Sequence, residues 1–367
     1  MRVLLVSHTY TAPINRAKLD ALAQRVTLTA VVPNRWRDTL FTLPQTAQAS
    51  AAYELHSLSI RFDGHILRYF YPFVALRAII ERAQPDLIYV EEEPASFAMT
   101  QCAFLKQHRK LVFFTWENIL RRIGLPGLEG YNLRHCNGAI AGSAEAAQVL
   151  RAKGFARPIA IIPQLGLDVD LFKPARAIEL RQSLGQDGFV IGYVGRLVVE
   201  KGLWTLLSAI RELPDTRLLI VGAGPLRAEI ERWITGHRLS QRVRIISSIP
   251  HEEIPRYLNA LDVLVLPSQT TPTWKEQFGH VLIEAMACGV PVIGANSGAI
   301  PEVIADAGVI FPEGDVAALR QAIAVLQADA ARRKQLAQAG RARVMAHYTQ
   351  TRIAAANVEF FEQVLGL

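Results

Sequence analysis

The chain has 367 residues, half of them apolar, with 40 Lys and Arg against 33 Asp and Glu. That length and apolar content suit two ordinary domains, and the longest uncharged stretch, 285–301, is broken by glycines and two prolines and falls short of the ~20 residues that cross a bilayer. The charge is uneven: residues 1–165 carry 19 basic against 12 acidic residues, while residues 166–367 carry 21 of each, so the whole excess of +7 lies in the first half.

In chain order, residues 3–6 form an apolar run too short for the core of a secretory leader, and read as a first buried strand. The segment Ser7-His-Thr-Tyr-Thr-Ala-Pro-Ile-Asn-Arg16 follows without a glycine, and Arg16 and Lys18 read as a solvated helix start. Further apolar runs at 28–32, 87–90, 111–114 and 159–162 are separated by amphipathic stretches, the pattern of parallel strands buried on both faces. The segment Arg61-Phe-Asp-Gly-His-Ile-Leu-Arg-Tyr-Phe-Tyr-Pro-Phe73, leading into 74–82, mixes bulky apolar residues with cations. It fits a helix packed into the first domain with a basic outer edge, and it also fits a stretch lying on a membrane surface. Glu91-Glu-Glu93-Pro94 reads as a charged rim for at least two of its three carboxylates, with the third a candidate for acid–base work. Thr115-Trp-Glu117-Asn118 puts Glu117 at a strand end, where a carboxylate can orient a hydroxyl or take its proton. His8 is a lone histidine and reads as structural. The turn-rich stretch Pro163-Gln-Leu-Gly-Leu-Asp-Val-Asp-Leu-Phe-Lys-Pro174 is the expected linker.

A second series of runs follows at 190–194, 218–221, 243–246, 263–266 and 291–293, and the last twenty residues, from about Tyr348, read as an amphipathic helix. Strand–helix alternation of this kind implies two open parallel sheets with helices on both faces, an α/β class, and ligands of such sheets bind beyond the carboxyl ends of the strands. The natural site for two such sheets is the cleft they face. Cys102, Cys136 and Cys288 are odd in number and scattered, which suits reduced thiols rather than a disulfide framework or a zinc site.

The most specific segment is Glu276-Gln-Phe-Gly-His-Val-Leu-Ile-Glu284, followed by Ala-Met-Ala-Cys-Gly289-Val-Pro291. A helix is expected to start near Val281 and to stop at Gly289. Its first free amides fall near Gly279 and Val281, where an anion such as a phosphate is favoured, with Glu276 just before the helix and Glu284 inside it. One phosphate-friendly backbone between two hydroxyl-seeking carboxylates suits a nucleotide-sugar. Upstream, Gly192-Tyr-Val-Gly195-Arg196-Leu-Val-Val-Glu-Lys201-Gly202 follows a strand. Gly195 permits a tight turn, and Arg196 and Lys201 lie before a helix expected to begin near Leu203, placed to clamp a diphosphate or simply to face solvent. Ile220-Val-Gly222-Ala-Gly224-Pro225 is a strand–helix turn, not the dinucleotide fingerprint, because Arg227 holds the third glycine position. Nucleic acid is disfavoured, since no dense basic stripe alternates with aromatics.

Taken together, these segments resemble the nucleotide-binding half of retaining glycosyltransferases of family 4, which have the GT-B fold. The ordered set runs from about Gly192 to Asp315: Gly-Arg-Leu with Glu-Lys-Gly, Val-Gly-x-Gly-Pro, Leu-Pro-Ser, Glu-x7-Glu, then Gly-x-x-Pro-Glu. The resemblance implies two Rossmann-like domains facing a cleft, an acceptor-side domain at 1–168 and a nucleotide-sugar domain at 169–347, with helix 348–367 crossing back onto the first. It implies that Arg196 and Lys201 hold the donor diphosphate, that Glu284 binds ribose hydroxyls and Glu276 sugar hydroxyls, that Gly279, His280 and Val281 offer backbone groups, and that Ser248 and Ile249 flank the base. The donor would be a UDP- or GDP-sugar, with no further cofactor and no metal. Asp168-Val-Asp170 spells a metal-binding triplet of other glycosyltransferases, but the linker context and the GT-B resemblance speak against it. Where family members carry a Gly-Gly loop and a histidine, this chain has Ser7–Arg16 and Thr115-Trp116-Glu117 instead. The expected activity is transfer of a sugar to an acceptor hydroxyl with retention, on a glycan or lipid-linked acceptor, in the cytoplasm at the inner membrane face, with the basic first half as a peripheral membrane contact. An epimerase of GT-B type and a non-catalytic nucleotide-sugar-binding module are the alternatives.

Overall fold

Continuous apolar runs become strands here because both faces of each sheet are covered, so successive side chains are buried whichever way they point. In the computed structural model, which describes every residue except 38–44, 47–50, 122, 176 and 186–187 and only the backbone of 45–46, the chain divides into two units. Unit 1 comprises Met1–Gly166 with Gln350–Leu367, and unit 2 comprises Leu167–Thr349.

The strands of unit 1 are β1 (Arg2–Val6), β2 (Thr27–Pro33), β3 (Arg35–Trp36), β4 (Gln45–Thr46), β5 (Glu54–Leu58), β6 (Leu87–Val90), β7 (Lys110–Thr115), β8 (Gly138–Ala141) and β9 (Ile159–Ile161). Seven of them form one sheet in the order β5-β2-β1-β6-β7-β8-β9, every pair parallel, and β3 and β4 make a small antiparallel ribbon. Residues of β1 alternate between two cores: Leu4 and Val6 belong to one with Tyr69, Tyr71, Leu76 and Phe113, and Val3 and Leu5 to the other with Leu19, Tyr89 and Phe361. The C-terminal helix Gln350–Leu365 packs on helix Ala17–Ala23 and sets the Phe361 ring 5.1 Å from that of Tyr89. A side chain at Gly138 would meet Val364 and Phe360 of that helix at about 3 Å, so the glycine sets how closely helix and sheet approach.

Unit 2 holds β10 (Phe189–Val194), β11 (Thr216–Val221), β12 (Val243–Ile246), β13 (Val263–Leu266), β14 (Val292–Ala295) and β15 (Val309–Phe311), in the order β12-β11-β10-β13-β14-β15, all parallel. Strand order reverses between β10 and β13 in unit 2 and between β1 and β6 in unit 1. Such switch points open a crevice at the carboxyl ends of the two strands concerned. Among the described residues no helix is long and apolar enough to cross a membrane.

Candidate functional site

At the unit 2 switch point, the chain leaves β10 through Gly195 and Arg196 and leaves β13 through Pro267 and Ser268. Three backbone ties hold the first loop: Gly195 donates to the Val221 carbonyl at 3.0 Å, Leu197 to Ala223 at 2.9 Å, and Leu226 to Leu197 at 3.1 Å. The Tyr193 hydroxyl donates to the Arg196 carbonyl at 2.6 Å. Gly202 precedes helix Leu203–Arg211 in the left-handed conformation, with φ +65°, and a Cβ there would lie 1.8 Å from the Pro267 carbonyl oxygen. The two loops therefore touch backbone to backbone. Gly202→Ala is expected to cost at least ~2 kcal/mol, from left-handed strain and the clash, read as a lower urea midpoint.

Glu276 is buried, and its carboxylate meets Lys201 and Ser268 from those loops. Lys201 Nζ lies 2.5 Å from Glu276 Oε2, the Ser268 hydroxyl donates to the same oxygen at 2.7 Å, and Lys201 lies 5.0 Å from the Trp274 ring centre. Gly298, at φ +51°, brings its loop against the Glu276 carbonyl, which accepts from the Ala299 amide at 3.0 Å. Arg196 is largely exposed and lies 3.8 Å from Glu200. Helix His280–Ala287 starts at Gly279, whose φ is +82°, and Gly289, at φ +72°, follows its C-terminal cap residue Cys288. A helix's first-turn amides have no intrahelical acceptor, so His280 and Val281 present N–H groups at an electropositive end. Burial pushes the His280 imidazole down to about 4, with His251 adding to the effect and Glu276 opposing it. His280 is therefore neutral at physiological pH.

One turn further on, Glu284 is 9 % exposed and its carboxylate has no hydrogen-bond or ion-pair partner among the described residues. Burial alone pushes it up to about 7. A carboxylate left in that condition is an acceptor awaiting hydroxyl donors. Ser248 and Ile249 follow the end of β12, exposed and half-buried respectively. Their neighbour Ser247 accepts from Arg227 at 2.8 Å. Asp168 Oδ1 accepts the amides of Asp170 and Leu171 at 2.9 and 3.1 Å, a local turn cap.

In unit 1 the switch point is lined by carboxylates, and the expected charged rim is wrong. Glu91 and Glu92 are buried because each has buried partners. Lys18 and Tyr10 donate to Glu91, the tyrosine at 2.6 Å. Tyr69 donates to Glu92 at 2.5 Å, and the His8 ring lies 2.7 Å from it. The solvated helix start is corrected too: Lys18 is wholly buried against Glu91, and Arg16 donates to the Tyr10 carbonyl at 2.9 Å. Glu93 is pushed up to about 7 by burial, although the Thr115 hydroxyl and the Trp116 amide donate to it. Glu117 is buried and its Oε2 pairs with Lys153, which also reaches Glu129 at 2.6 Å. Glu117 Oε1 has no hydrogen-bond partner among the described residues, and burial raises this carboxyl too.

The structure thus brings Lys201, Glu276, Ser268 and Trp274 into direct contact, with Arg196, His280 and Glu284 on the loops and helix beside them. Ser268, Trp274 and the Lys153–Glu129 support of Glu117 escape the sequence reading. Ser268 closes the Leu-Pro-Ser triplet eight positions before Glu276, the one signal that points to it. Cys102, Cys136 and Cys288 are free and buried.

Comparison with known proteins follows the same division. Residues 177–343 match the family model for glycosyl transferases group 1. A GDP-mannose-dependent alpha-(1-6)-phosphatidylinositol monomannoside mannosyltransferase of Mycolicibacterium smegmatis is 37% identical over 48% of this chain and 49% of its own length. A 2-deoxystreptamine glucosyltransferase of Streptomyces kanamyceticus is 31% identical over 65% of this chain and 64% of its own. The chain spans about half the length of the first of these, and likewise of the related Corynebacterium glutamicum mannosyltransferase. Among solved structures, a sucrose-phosphate synthase of Thermosynechococcus elongatus superposes with a TM-score of 0.75 at 24% identity, covering 99% of both chains. Anabaena HepE, solved in complex with UDP, gives 0.74 at 20% identity over 99% of this chain and 100% of that one. The fold of the two sheets is GT-B, and the match to the group 1 glycosyltransferase model, over just under half of the chain, falls within unit 2.

Proposed function

We propose that this protein is a retaining glycosyltransferase of family 4 that moves a sugar from a UDP- or GDP-sugar to a hydroxyl of a glycan or lipid-linked acceptor, without a metal. The observation that carries this reading is Glu284: a buried carboxylate without a partner among the described residues, one turn into a helix whose first amides have no intrahelical acceptor and which starts four residues after Glu276 of the Lys201–Glu276 pair. Ribose hydroxyls are the donors such a carboxylate lacks. The amides of His280 and Val281, opened by Gly279, take a phosphate oxygen, while Arg196 and Lys201 hold the diphosphate as charge builds on it in the transition state. Glu276 exchanges its lysine for hydroxyls of the donor sugar. Gly195 keeps its loop low at the strand end, and Ser248 and Ile249 take the base edge. Residues 169–347 form the donor side. Residues 1–168 with 348–367 form the acceptor side, where Glu117 offers Oε1 to the acceptor hydroxyl. The reading places the protein in the cytoplasm at the inner membrane face. The relatives' names, with their GDP-mannose and phosphatidylinositol mannoside substrates, support donor and acceptor classes of this kind.

The test is thermal stabilisation by a panel of nucleoside diphosphates and their sugars, with and without divalent metal. A ligand that binds only the native state raises Tm, by ~2.7 kcal/mol of stability at a hundred times Kd. One nucleotide is expected to shift Tm without metal, and Glu284→Ala to remove the shift. No shift with any nucleotide overturns the donor site. Binding without transfer to any acceptor moves the assignment to a non-catalytic module.

A further inference from the structure

Unit 1 exposes a group of large apolar side chains that its own fold does not explain. Helix Phe73–Ala83 buries Leu76, Ile79 and Ile80 and leaves Phe73, Val74, Arg77 and Ala78 on its outer side, Val74 being 79 % exposed. Helix Phe97–Leu105 is uncharged and buried over most of its surface, yet Phe104 is 66 % exposed. The two meet at the surface, with ring centres of Phe73 and Phe104 5.8 Å apart. The chain before Phe73 runs along the second helix: the Phe97 amide donates to the Leu67 carbonyl at 3.1 Å, and a turn later Gln101 holds the Tyr71 backbone from both sides. That segment adds Phe62 and Ile66, both exposed. Single exposed apolar residues are ordinary, but aromatic and branched side chains gathered on adjoining elements mark a surface meant to be covered.

The charges around this surface select what covers it. Its acidic residues are already engaged: Asp63 lies 3.4 Å from both Arg35 and Arg37, and Glu81 is 2.7 Å from Arg77. Arg61 and Arg68 are exposed, and they and Lys106, which follows Phe104 by two positions and reaches the Arg109 carbonyl at 3.4 Å, have no acidic partner among the described residues. The whole +7 excess of the chain lies in its first 165 residues. Exposed aromatics flanked by unpaired cations match the boundary of an anionic bilayer, where rings enter the acyl edge and cations stay among the headgroup phosphates.

We propose that the surface formed by Phe73, Val74 and Phe104, flanked by Arg61, Arg68 and Lys106, docks unit 1 on an anionic lipid bilayer. This gives the membrane contact of the preceding reading an address, but it does not depend on the donor chemistry. The test is co-sedimentation of the full chain with phosphatidylcholine vesicles with or without 30 mol% phosphatidylglycerol, a composition chosen to be about one-third anionic. Binding to the anionic vesicles is expected, with at least tenfold weaker partition to the neutral ones. The Val74→Ser/Phe104→Ser variant is expected to lose on the order of tenfold in partition. Arg61→Glu/Arg68→Glu is expected to lose at least as much. Both variants change exposed side chains only, so Tm and its shift by nucleoside diphosphate are expected to remain as in the parent. That shift also separates the two readings, since it can survive a failure of lipid binding and be absent while lipid binding persists. No sedimentation with anionic vesicles at low salt overturns the proposal. Equal binding by the Val74→Ser/Phe104→Ser variant overturns the apolar contact. A concentration-dependent dimer that this variant abolishes, without lipid binding, assigns the surface to a second copy instead.

Discussion

Replacing Lys201 by Ala is expected to lower turnover with a nucleotide-sugar by ~10²–10³-fold, the usual loss when one preorganised charge facing a transition-state anion is removed. The same substitution is expected to destabilise the protein, because it leaves the Glu276 carboxylate buried with its ion-pair partner gone. Breaking one side of a buried pair costs ~3–5 kcal/mol; here both side chains retain some exposure, 13 % and 8 %, so ~2–3 kcal/mol is expected. These two losses separate in a double variant. Lys201→Ala/Glu276→Gln removes the stranded charge, so its urea midpoint should return toward the parent while turnover stays low. Glu276→Gln alone should behave differently again. If Lys201 holds the diphosphate as proposed, the ion pair with Glu276 in the free protein competes with that contact, and neutralising Glu276 frees the lysine. Nucleoside diphosphate should bind several-fold more tightly, whereas the full nucleotide-sugar should not share the gain, because a neutral amide serves the sugar hydroxyls less well than the carboxylate it replaces. Calorimetric titration of both ligands into the three variants gives the result. A parental kcat in Lys201→Ala ends the assignment of this residue to the diphosphate, and weaker diphosphate binding by Glu276→Gln ends the competition.

Why part of this is readable in the sequence follows from how each element is built. Strands β1, β6, β10 and β13 lie inside their sheets and are buried along nearly their whole length, so each appears as an unbroken apolar run. Edge strand β5, Glu-Leu-His-Ser-Leu, is half-covered and reads as mixed sequence, and β8 and β15 are only four and three residues long. None of these three stands out from its surroundings in the sequence. Strand β14, expected at 291–293, runs Val292–Ala295, because Pro291 lacks the N–H for a ladder and contributes only its carbonyl, to Leu264 at 2.9 Å. Helix His280–Ala287 is legible at both ends because its signals are local: a glycine at each boundary, and a proline beyond the second. Ion pairs are not local. Lys18 and Glu91 are 73 positions apart, and Lys201 and Glu276 are 75 apart. Lys18 reads as a solvated cation because its partner arrives only when β1 and β6 pair. Periodicity reports which face of an element is covered, whereas a polar partner is set by sheet order, which no local pattern encodes.

Glu284 is expected to make both stability and nucleotide binding depend on pH, in opposite senses. Its carboxyl stands near pH 7 in the folded protein and near 4.5 in an unfolded chain, and burial is the only cause. Below about pH 4.5 the group is protonated in both states and imposes no penalty. As pH rises from there through about 7, the folded protein holds the proton that the unfolded chain releases, so stability falls, and above 7 the full penalty of ~3 kcal/mol is in place. Glu284→Gln keeps the shape and removes the charge. It should match the parent near pH 5 and exceed it by ~2–3 kcal/mol at pH 8, read as urea midpoints. A bound ribose changes the sign. On the proposed ribose contact, its hydroxyls would donate to the carboxylate and favour the ionised form, so binding at pH 7 should expel part of a proton and tighten as pH rises from 6 to 8. The phosphates titrate in the same range, but their contribution is common to both proteins. Calorimetry in two buffers of different ionisation enthalpy counts the protons directly. The parent should release more than Glu284→Gln at pH 7, with the difference vanishing above pH 8.5. His280, one turn earlier, is neutral across this range and adds no step of its own. Equal proton release by the two proteins would mean that no ligand hydroxyl reaches Glu284, and the ribose assignment would fall with it.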